Sequence, residues 1–225
     1  TDGIGTEIVL TSDITLTEKL TIAKSVTIDL GGNTVEYTGN GTYAIEINNA
    51  NVVIDDSSEN SGKIVAGKRV IKVGDATIRT TGNPASLVLK GGTLESKDTE
   101  GEHCTIAVYA NSTAARDENS AVACTAEINN ATAKGGVYLF GEGAKVTVNN
   151  GAVIDTSGYY GISGNGTKTD SQNNGGTVID INGGTITQTG VGGGAIYHPQ
   201  DGTLDISGNA VITGDSGIQM CSGES

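Results

Sequence analysis

Residues 178–190 read VIDINGGTITQTG. Ile179 and Ile181 flank Asp180, two glycines follow Asn182, and Ile186 sits between Thr185 and Thr187. Alternation at period two marks a half-buried β-strand. A Gly-Gly between two such runs ordinarily signals a hairpin. The alternative is that each run pairs with a copy of itself elsewhere in the chain.

The copies are present. LVLKGGTLES starts at Leu87, AEINNATAKG at Ala126, VTVNNGAVIDT at Val146 and LDISGNAVITG at Leu204. All share an apolar–any–apolar run followed by a small or polar residue and a pair drawn from Gly, Asn and Ala. The second apolar residue anchors each copy: Leu89, Ile128, Val148, Ile181 and Ile206, with looser copies anchored by Ile28 and Ile54. Successive anchors lie 26, 35, 39, 20, 33 and 25 residues apart. A second series runs in step, centred on Ile45, Ile71, Ile106, Val137, Ile162, Ile196 and Ile218, each 9 to 17 residues after its anchor.

Two interleaved series at a spacing of 20–40 residues, with no helical period, describe a solenoid. Each repeat holds about three short strands. No strand buries its face alone, so each stacks on its copy in the next coil, about 4.8 Å away. The two halves of VIDINGGTITQTG are then consecutive faces of one coil, with the glycines at the corner. Composition agrees. The 225 residues include one Phe, no Trp and one Met, too few large rings for a broad globular core but enough aliphatics for a narrow stacked one. With 35 Gly and 2 Pro, corners rely on Gly and Asn. A sharp corner calls for left-handed backbone, which Gly adopts freely and Asn tolerates. Asn129, Asn149 and Asn182 recur at one corner position of three successive coils, so a hydrogen-bonded asparagine ladder is expected. The expected fold is all-β: a right-handed single-stranded parallel β-helix of about seven or more coils. It forms one domain over 1–225, with 1–25 as first coils or cap and 26–225 as repeating coils.

This architecture resembles the pectate-lyase-like superfamily of right-handed parallel β-helices. The opening IVLTSDITLTEKLTIAKSVTIDLGGNTV, from Ile8, is similar to the first coils of β-helical regions in large surface or adhesin proteins of Gram-positive gut bacteria. The resemblance covers essentially the whole chain. It implies the fold and leaves function open, because the superfamily spans lyases, hydrolases, phage tailspikes and non-catalytic adhesins. It also implies an extracellular or cell-wall location and a fragment of a longer surface protein whose export and anchoring signals lie elsewhere. The piece is expected to be monomeric in isolation.

A net charge of −13 argues against nucleic acid and anionic membranes, both of which need clustered Lys and Arg. No apolar run approaches the roughly 18 residues of a membrane helix. Three cysteines, Cys104, Cys124 and Cys221, cannot close a framework of bridges. Cys104 and Cys124 flank an irregular insertion and fit either one bridge or two buried thiols.

Enzymes resembled here use acidic clusters that hold calcium with an Arg or Lys base, or several Asp residues on adjacent coils with a His. Arg69, Arg79 and Arg116 sit in no lyase-like motif. Asp55-Asp56 fits a turn that caps its own backbone. His198 falls in an inward series with Ile47, Val73, Val108, Leu139 and Met220, which suits a hydrogen-bonded core histidine, and His103 lies in an acidic loop. No catalytic residue is therefore assigned. Asp180 and Asp205 belong to an outward row with Thr27, Val53, Val88, Glu127 and Thr147. Like charges on adjacent coils are either solvated or bridged by a cation, so this pair is the candidate for weak calcium binding, and no other cofactor is expected.

A second outward row reads Glu46, Lys72, Ala107, Tyr138, Ser163, Tyr197 and Gln219, with Tyr160 beside it. Glu46 and Lys72 are expected to pair. Tyr138, Ser163, Tyr197 and Tyr160 are the candidate ligand-binding residues, since tyrosines on a flat sheet suit sugar stacking or protein docking. The expected function is non-catalytic: adhesion or binding of a host or environmental glycan or protein, or a rigid spacer. The alternative is a polysaccharide lyase or glycoside hydrolase acting on acidic glycans.

Overall fold

The structure, a computed structural model, describes residues 6–58, 62–75, 83–98, 104–110, 122–165, 176–198 and 202–220. Eight coils of three strands follow one another. The first four are β1 (Thr6–Val9), β2 (Ile14–Leu16), β3 (Leu20–Ile22); β4 (Val26–Asp29), β5 (Thr34–Tyr37), β6 (Tyr43–Ile47); β7 (Asn51–Asp55), β8 (Lys63–Ala66), β9 (Arg69–Val73); and β10 (Ala85–Leu89), β11 (Thr93–Ser96), β12 (Cys104–Tyr109). The last four are β13 (Cys124–Ile128), β14 (Thr132–Lys134), β15 (Gly136–Phe140); β16 (Ala144–Val148), β17 (Val153–Thr156), β18 (Tyr160–Asn165); β19 (Thr177–Ile181), β20 (Thr185–Gln188), β21 (Gly194–His198); and β22 (Gly202–Ile206), β23 (Val211–Thr213), β24 (Ile218–Met220).

Every third strand joins one sheet, giving three sheets of eight strands. The ladders are parallel throughout, as a coil that returns to the same face requires. The opening stretch thus resolves as expected: β19 lies between β16 and β22, and β20 between β17 and β23. The anchors form one column, Ile8–Ile28–Ile54–Leu89–Ile128–Val148–Ile181–Ile206, each paired with the next. The second series forms another, Leu20–Ile45–Ile71–Ile106–Val137–Ile162–Ile196–Ile218. Residues 6–22 are a full coil with the same register as the rest.

The core is the stack of these columns. Leu89, Ile128, Val148 and Ile181 are at most 1% exposed. A third column, Ile14–Val35–Ile64–Leu94–Ala133–Ile154–Ile186–Ile212, completes it from the second sheet. The end coils carry the same residue types with no described coil beyond them, so Ile8, Ile14, Leu20, Ile206, Ile218 and Met220 are exposed.

The corner after the first sheet shows how Gly and Asn divide the work. Gly92, Gly151 and Gly184, each three residues after an anchor, have φ of 78°, 82° and 79°. The ladder asparagines do not share that backbone: among described non-glycine residues, Asn49 alone has positive φ. Their contribution is the side chain. Asn149 donates to Asn129 Oδ1 at 3.0 Å, Asn182 donates to Asn149 Oδ1 at 3.2 Å, and Ser207 extends the run by donating to Asn182 Oδ1 at 3.2 Å. Asn129 closes the lower end by donating to the Leu89 carbonyl at 3.2 Å. Neighbouring glycines clear space for the asparagine side chains of the coil before. A Cβ on Gly151 would collide with Asn130 Oδ1, and one on Gly183 with Asn150 Oδ1.

Polar residues that face inward sit at corners where backbone carbonyls await donors. Gln188 is 3% exposed and donates from Nε2 to the carbonyls of Gly158 and Gly190 at 2.8 and 2.6 Å. Long connections concentrate between the third sheet and the first: residues 74–84, 110–123 and 166–176 join β9 to β10, β12 to β13 and β18 to β19. These insertions explain why the anchor spacing varies while the anchors stay in register; the one shift among the described ladders lies at Cys104–Ile106, where β12 meets β15.

Candidate functional site

The outer face of the third sheet carries the most varied side-chain chemistry, and its character changes along the stack. At the first three coils it is charged. Glu46 accepts from Lys72 at 2.8 Å and also from Lys19, so the expected Glu46–Lys72 pair is part of a three-residue chain. Burial would raise the Glu46 carboxyl, but hydrogen bonds from Lys19 and Lys72 outweigh it and hold the group below its usual range.

Arg69 lies beside Tyr43 in register and donates from Nη1 to the Tyr43 hydroxyl at 2.8 Å and to that of Tyr109 at 3.4 Å. The guanidinium carbon also sits 5.7 Å from the Tyr43 ring centre, and Lys72 Nζ sits 5.5 Å from that of Tyr109. Burial and the Tyr109 hydroxyl push the Tyr43 phenol well above its ordinary value, so it stays a neutral donor and acceptor.

The middle coils are aromatic. Tyr109 packs 5.3 Å from Phe140 and 6.0 Å from Tyr138, centre to centre, and Tyr138 lies 6.4 Å from Phe140. Phe140 is 4% exposed and Ala107 fully buried, although both belong to the outward side of this sheet. Tyr138 therefore forms the rim of a small second core outside the coil. Sequence reasoning missed Tyr43, Arg69, Tyr109 and Phe140. The usable signal was that Tyr109 and Phe140 hold equivalent positions of adjacent strands.

The last three coils carry the remaining candidates. Tyr138, Ser163 and Tyr197 do form one row: Tyr138 pairs with Ser163 and Ser163 with Tyr197. Gln219 continues it. Tyr160 pairs in register with Gly194, and its ring lies 5.0 Å from that of Tyr197, tilted by 36°. The Tyr160 hydroxyl donates to Gln219 Oε1 at 3.1 Å. All four candidates are half-buried. They divide into two groups: Tyr138 with Tyr109 and Phe140, and Tyr160 with Tyr197, Ser163 and Gln219.

On the first sheet, Asp180 and Asp205 are paired in register. Asp180 also forms an ion pair with Lys145, two strands from Asp205, which offsets the like-charge repulsion from the other side. Among the described residues no group of three or more His, Cys, Asp and Glu comes together that could hold a metal ion. Asp55 and Asp56 cap backbone: Asp56 accepts from the amides of Gly32 (2.8 Å) and Gly62, and Asp55 from that of Asp56 at 2.9 Å. Asp29, one coil below Asp55, accepts from the Ser57 hydroxyl and amide at 2.5 and 3.0 Å, and these bonds hold its carboxyl below the usual range.

His198 occupies the inward column as expected, paired with Met220 and 6% exposed. Its Nε2 is buried with no hydrogen-bond partner among the described residues, which differs from the hydrogen-bonded histidine expected. Cys104 and Cys124 are buried free thiols, so the bridge is not formed. Burial pushes the Cys124 thiol up to about 11. His103, Arg79, Arg116 and Cys221 lie outside the described residues.

Comparison of the chain with protein-family models, with curated proteins and with solved structures returned no match.

Proposed function

We propose that this chain is a non-catalytic β-helical segment of a secreted or cell-wall-attached bacterial surface protein, a right-handed rod of the pectate-lyase-like kind, and that it binds a glycan or protein ligand on the outer face of its third sheet. One observation carries the reading: Tyr138, Ser163 and Tyr197 stand in register on three successive coils, with the Tyr160 ring closed onto Tyr197. The strands that carry these tyrosines, β15, β18 and β21, are each bonded on both sides, so the rings are held ready and lose little freedom on binding. Tyrosine combines a flat apolar ring with a polar tip, the side-chain type that dominates recognition surfaces.

The test is a binding screen of the 225-residue chain against arrayed glycans, mucin and serum proteins, with and without calcium. The same samples are assayed for released reducing or unsaturated sugar. Binding without turnover, lost on replacing Tyr138 and Tyr197 by serine, is the expected result. Sugar release would overturn the non-catalytic reading in favour of a lyase or hydrolase of acidic glycans. Absence of any binding would leave a spacer. A calcium requirement that disappears in Asp180→Asn or Asp205→Asn would assign the weak cation site to that pair.

A further inference from the structure

The outer face of the third sheet is polarised along the rod, and the polarity names the ligand class. The inference rests on the binding reading above and refines it. At the N-terminal coils the face holds Lys19, Glu46, Arg69 and Lys72, with the cations engaged by Glu46 and by tyrosine hydroxyls and rings. At the C-terminal coils this face carries Tyr160, Ser163, Tyr197 and Gln219 on β18, β21 and β24, none of them charged. The Tyr160 and Tyr197 rings, tilted by 36° with centres 5.0 Å apart, form a shallow aromatic step.

We propose that the Tyr160–Tyr197 step binds a neutral pyranose of an uncharged glycan. A sugar ring offers an apolar face of C–H groups to an aromatic ring and hydroxyls around its edge. The step supplies the ring faces of Tyr160 and Tyr197, 5.0 Å apart. The edge groups are the Ser163 hydroxyl and the Gln219 amide, whose Oε1 is oriented by the Tyr160 hydroxyl at 3.1 Å. Flat aromatics plus a few oriented polar groups are the recurring composition of small-ligand sites. An anionic sugar finds no cation on these strands and meets a chain of net charge −13, which disfavours its approach. Tyr138 is set apart from the step because its ring is committed to Tyr109 and Phe140.

The experiment titrates the chain with neutral cello-, xylo-, manno- and galacto-oligosaccharides and, in parallel, with oligogalacturonate and sialyllactose, at 50 and 500 mM NaCl. Tyr197→Ser, Tyr197→Phe and Gln219→Ala are compared, with circular dichroism melts to establish folding. The expected result is saturable binding of at least one neutral series, unchanged by salt. Tyr197→Ser should weaken it by about 10-fold or more, Gln219→Ala should weaken it less, and Tyr197→Phe should retain it. Preference for the acidic sugars with a steep salt dependence would overturn the neutral-ligand assignment while leaving the binding reading intact. Neutral binding unaffected by Tyr197→Ser in a folded protein would overturn the site. Binding of protein partners alone would overturn the ligand class, and no binding to sugars or proteins would overturn the inference together with the reading beneath it.

Discussion

Removing the middle rung of the asparagine ladder tests whether side chains, rather than corner backbone, hold adjacent coils in register. Asn149 donates to Asn129 Oδ1 at 3.0 Å and to Glu127 Oε1 at 3.1 Å, and accepts from Asn182 at 3.2 Å. Asn149→Ala deletes all three bonds. Each is worth about 0.5–1.5 kcal/mol net, and water reaches this half-exposed corner and replaces part of the loss. The expected cost is about 1–3 kcal/mol, which for a chain of this length lowers Tm by about 4–8 °C at the middle of the range. Asn149→Asp discriminates further. It keeps the acceptor for Asn182 but turns a carboxylate oxygen toward Glu127 and Asn129, so at pH 7 it should be at least as destabilising as alanine. The like charge raises the pKa of the new carboxyl in the folded state. Its destabilisation is therefore present above that pKa and relieved as pH falls through it, when a protonated oxygen again donates. The assay is urea unfolding followed by circular dichroism and by tyrosine fluorescence, since a stack of coils need not unfold in one step. An alanine variant within about 0.5 kcal/mol of the parent, together with a pH-independent aspartate variant, would refute the reasoning.

Three further outcomes follow from the packing. Ile128→Ala, in a fully buried column position of the fifth coil, should cost about 2–5 kcal/mol, whereas Ile218→Ala, 38% exposed on the last coil, should cost under about 1 kcal/mol; equal losses in denaturant titrations would contradict the column model. Gly193→Ala should unfold or severely destabilise the chain, because its Cβ would collide with the Tyr159 carbonyl, while Gly67→Ala meets nothing within 4 Å and should be neutral or slightly stabilising. Thermal melts of the two variants side by side decide this. Asp29 contributes stability that is complete above the unfolded-state pKa near 3.8 and is lost as pH falls through its lower folded value. Asp29→Ala should therefore trail the parent at pH 7, with the gap closing toward pH 2; a gap that stays constant over that interval would show that the carboxylate charge is irrelevant.

The columns were legible residue by residue because two constraints act on the same positions. Alternation within a strand and stacking between coils both demand an aliphatic at Leu89, Ile128, Val148 and Ile181, so the pattern survives insertions at the corners. The second sheet left a weaker trace. Its strands are short, the second inward position of several is polar, as at Ser96, Thr156 and Gln188, and at Ala133 the column residue is only a methyl. The asparagine ladder was legible as a recurrence but not in its cause, since left-handed backbone falls to the glycines and the asparagines work through their amides. Within the candidate site, the row through Tyr138, Ser163 and Tyr197 follows from register alone. The meeting of Tyr43 with Tyr109, 66 residues apart at 3.3 Å between hydroxyls, does not, because it depends on how long side chains lean across two coils. The same limit hid the contact that separates Tyr138 from the Tyr160–Tyr197 step.

All of these assignments depend on each strand pairing with its own copy one coil away. The direct measurement is a distance ruler along the outward row of the first sheet, where Thr27, Val53, Val88, Glu127, Thr147, Asp180 and Asp205 are paired in sequence. Spin labels would be placed at Thr27 and Thr147, and at Thr27 and Asp205, in a Cys221→Ser background, the buried Cys104 and Cys124 being left in place. Pulsed electron–electron resonance should give separations of about 19 and 29 Å, four and six steps of about 4.8 Å, broadened by the label arms. Equal distances for the two pairs, or either distance beyond about 45 Å, well outside the reach of the stacked coils, would contradict the coil stack and with it the tyrosine face.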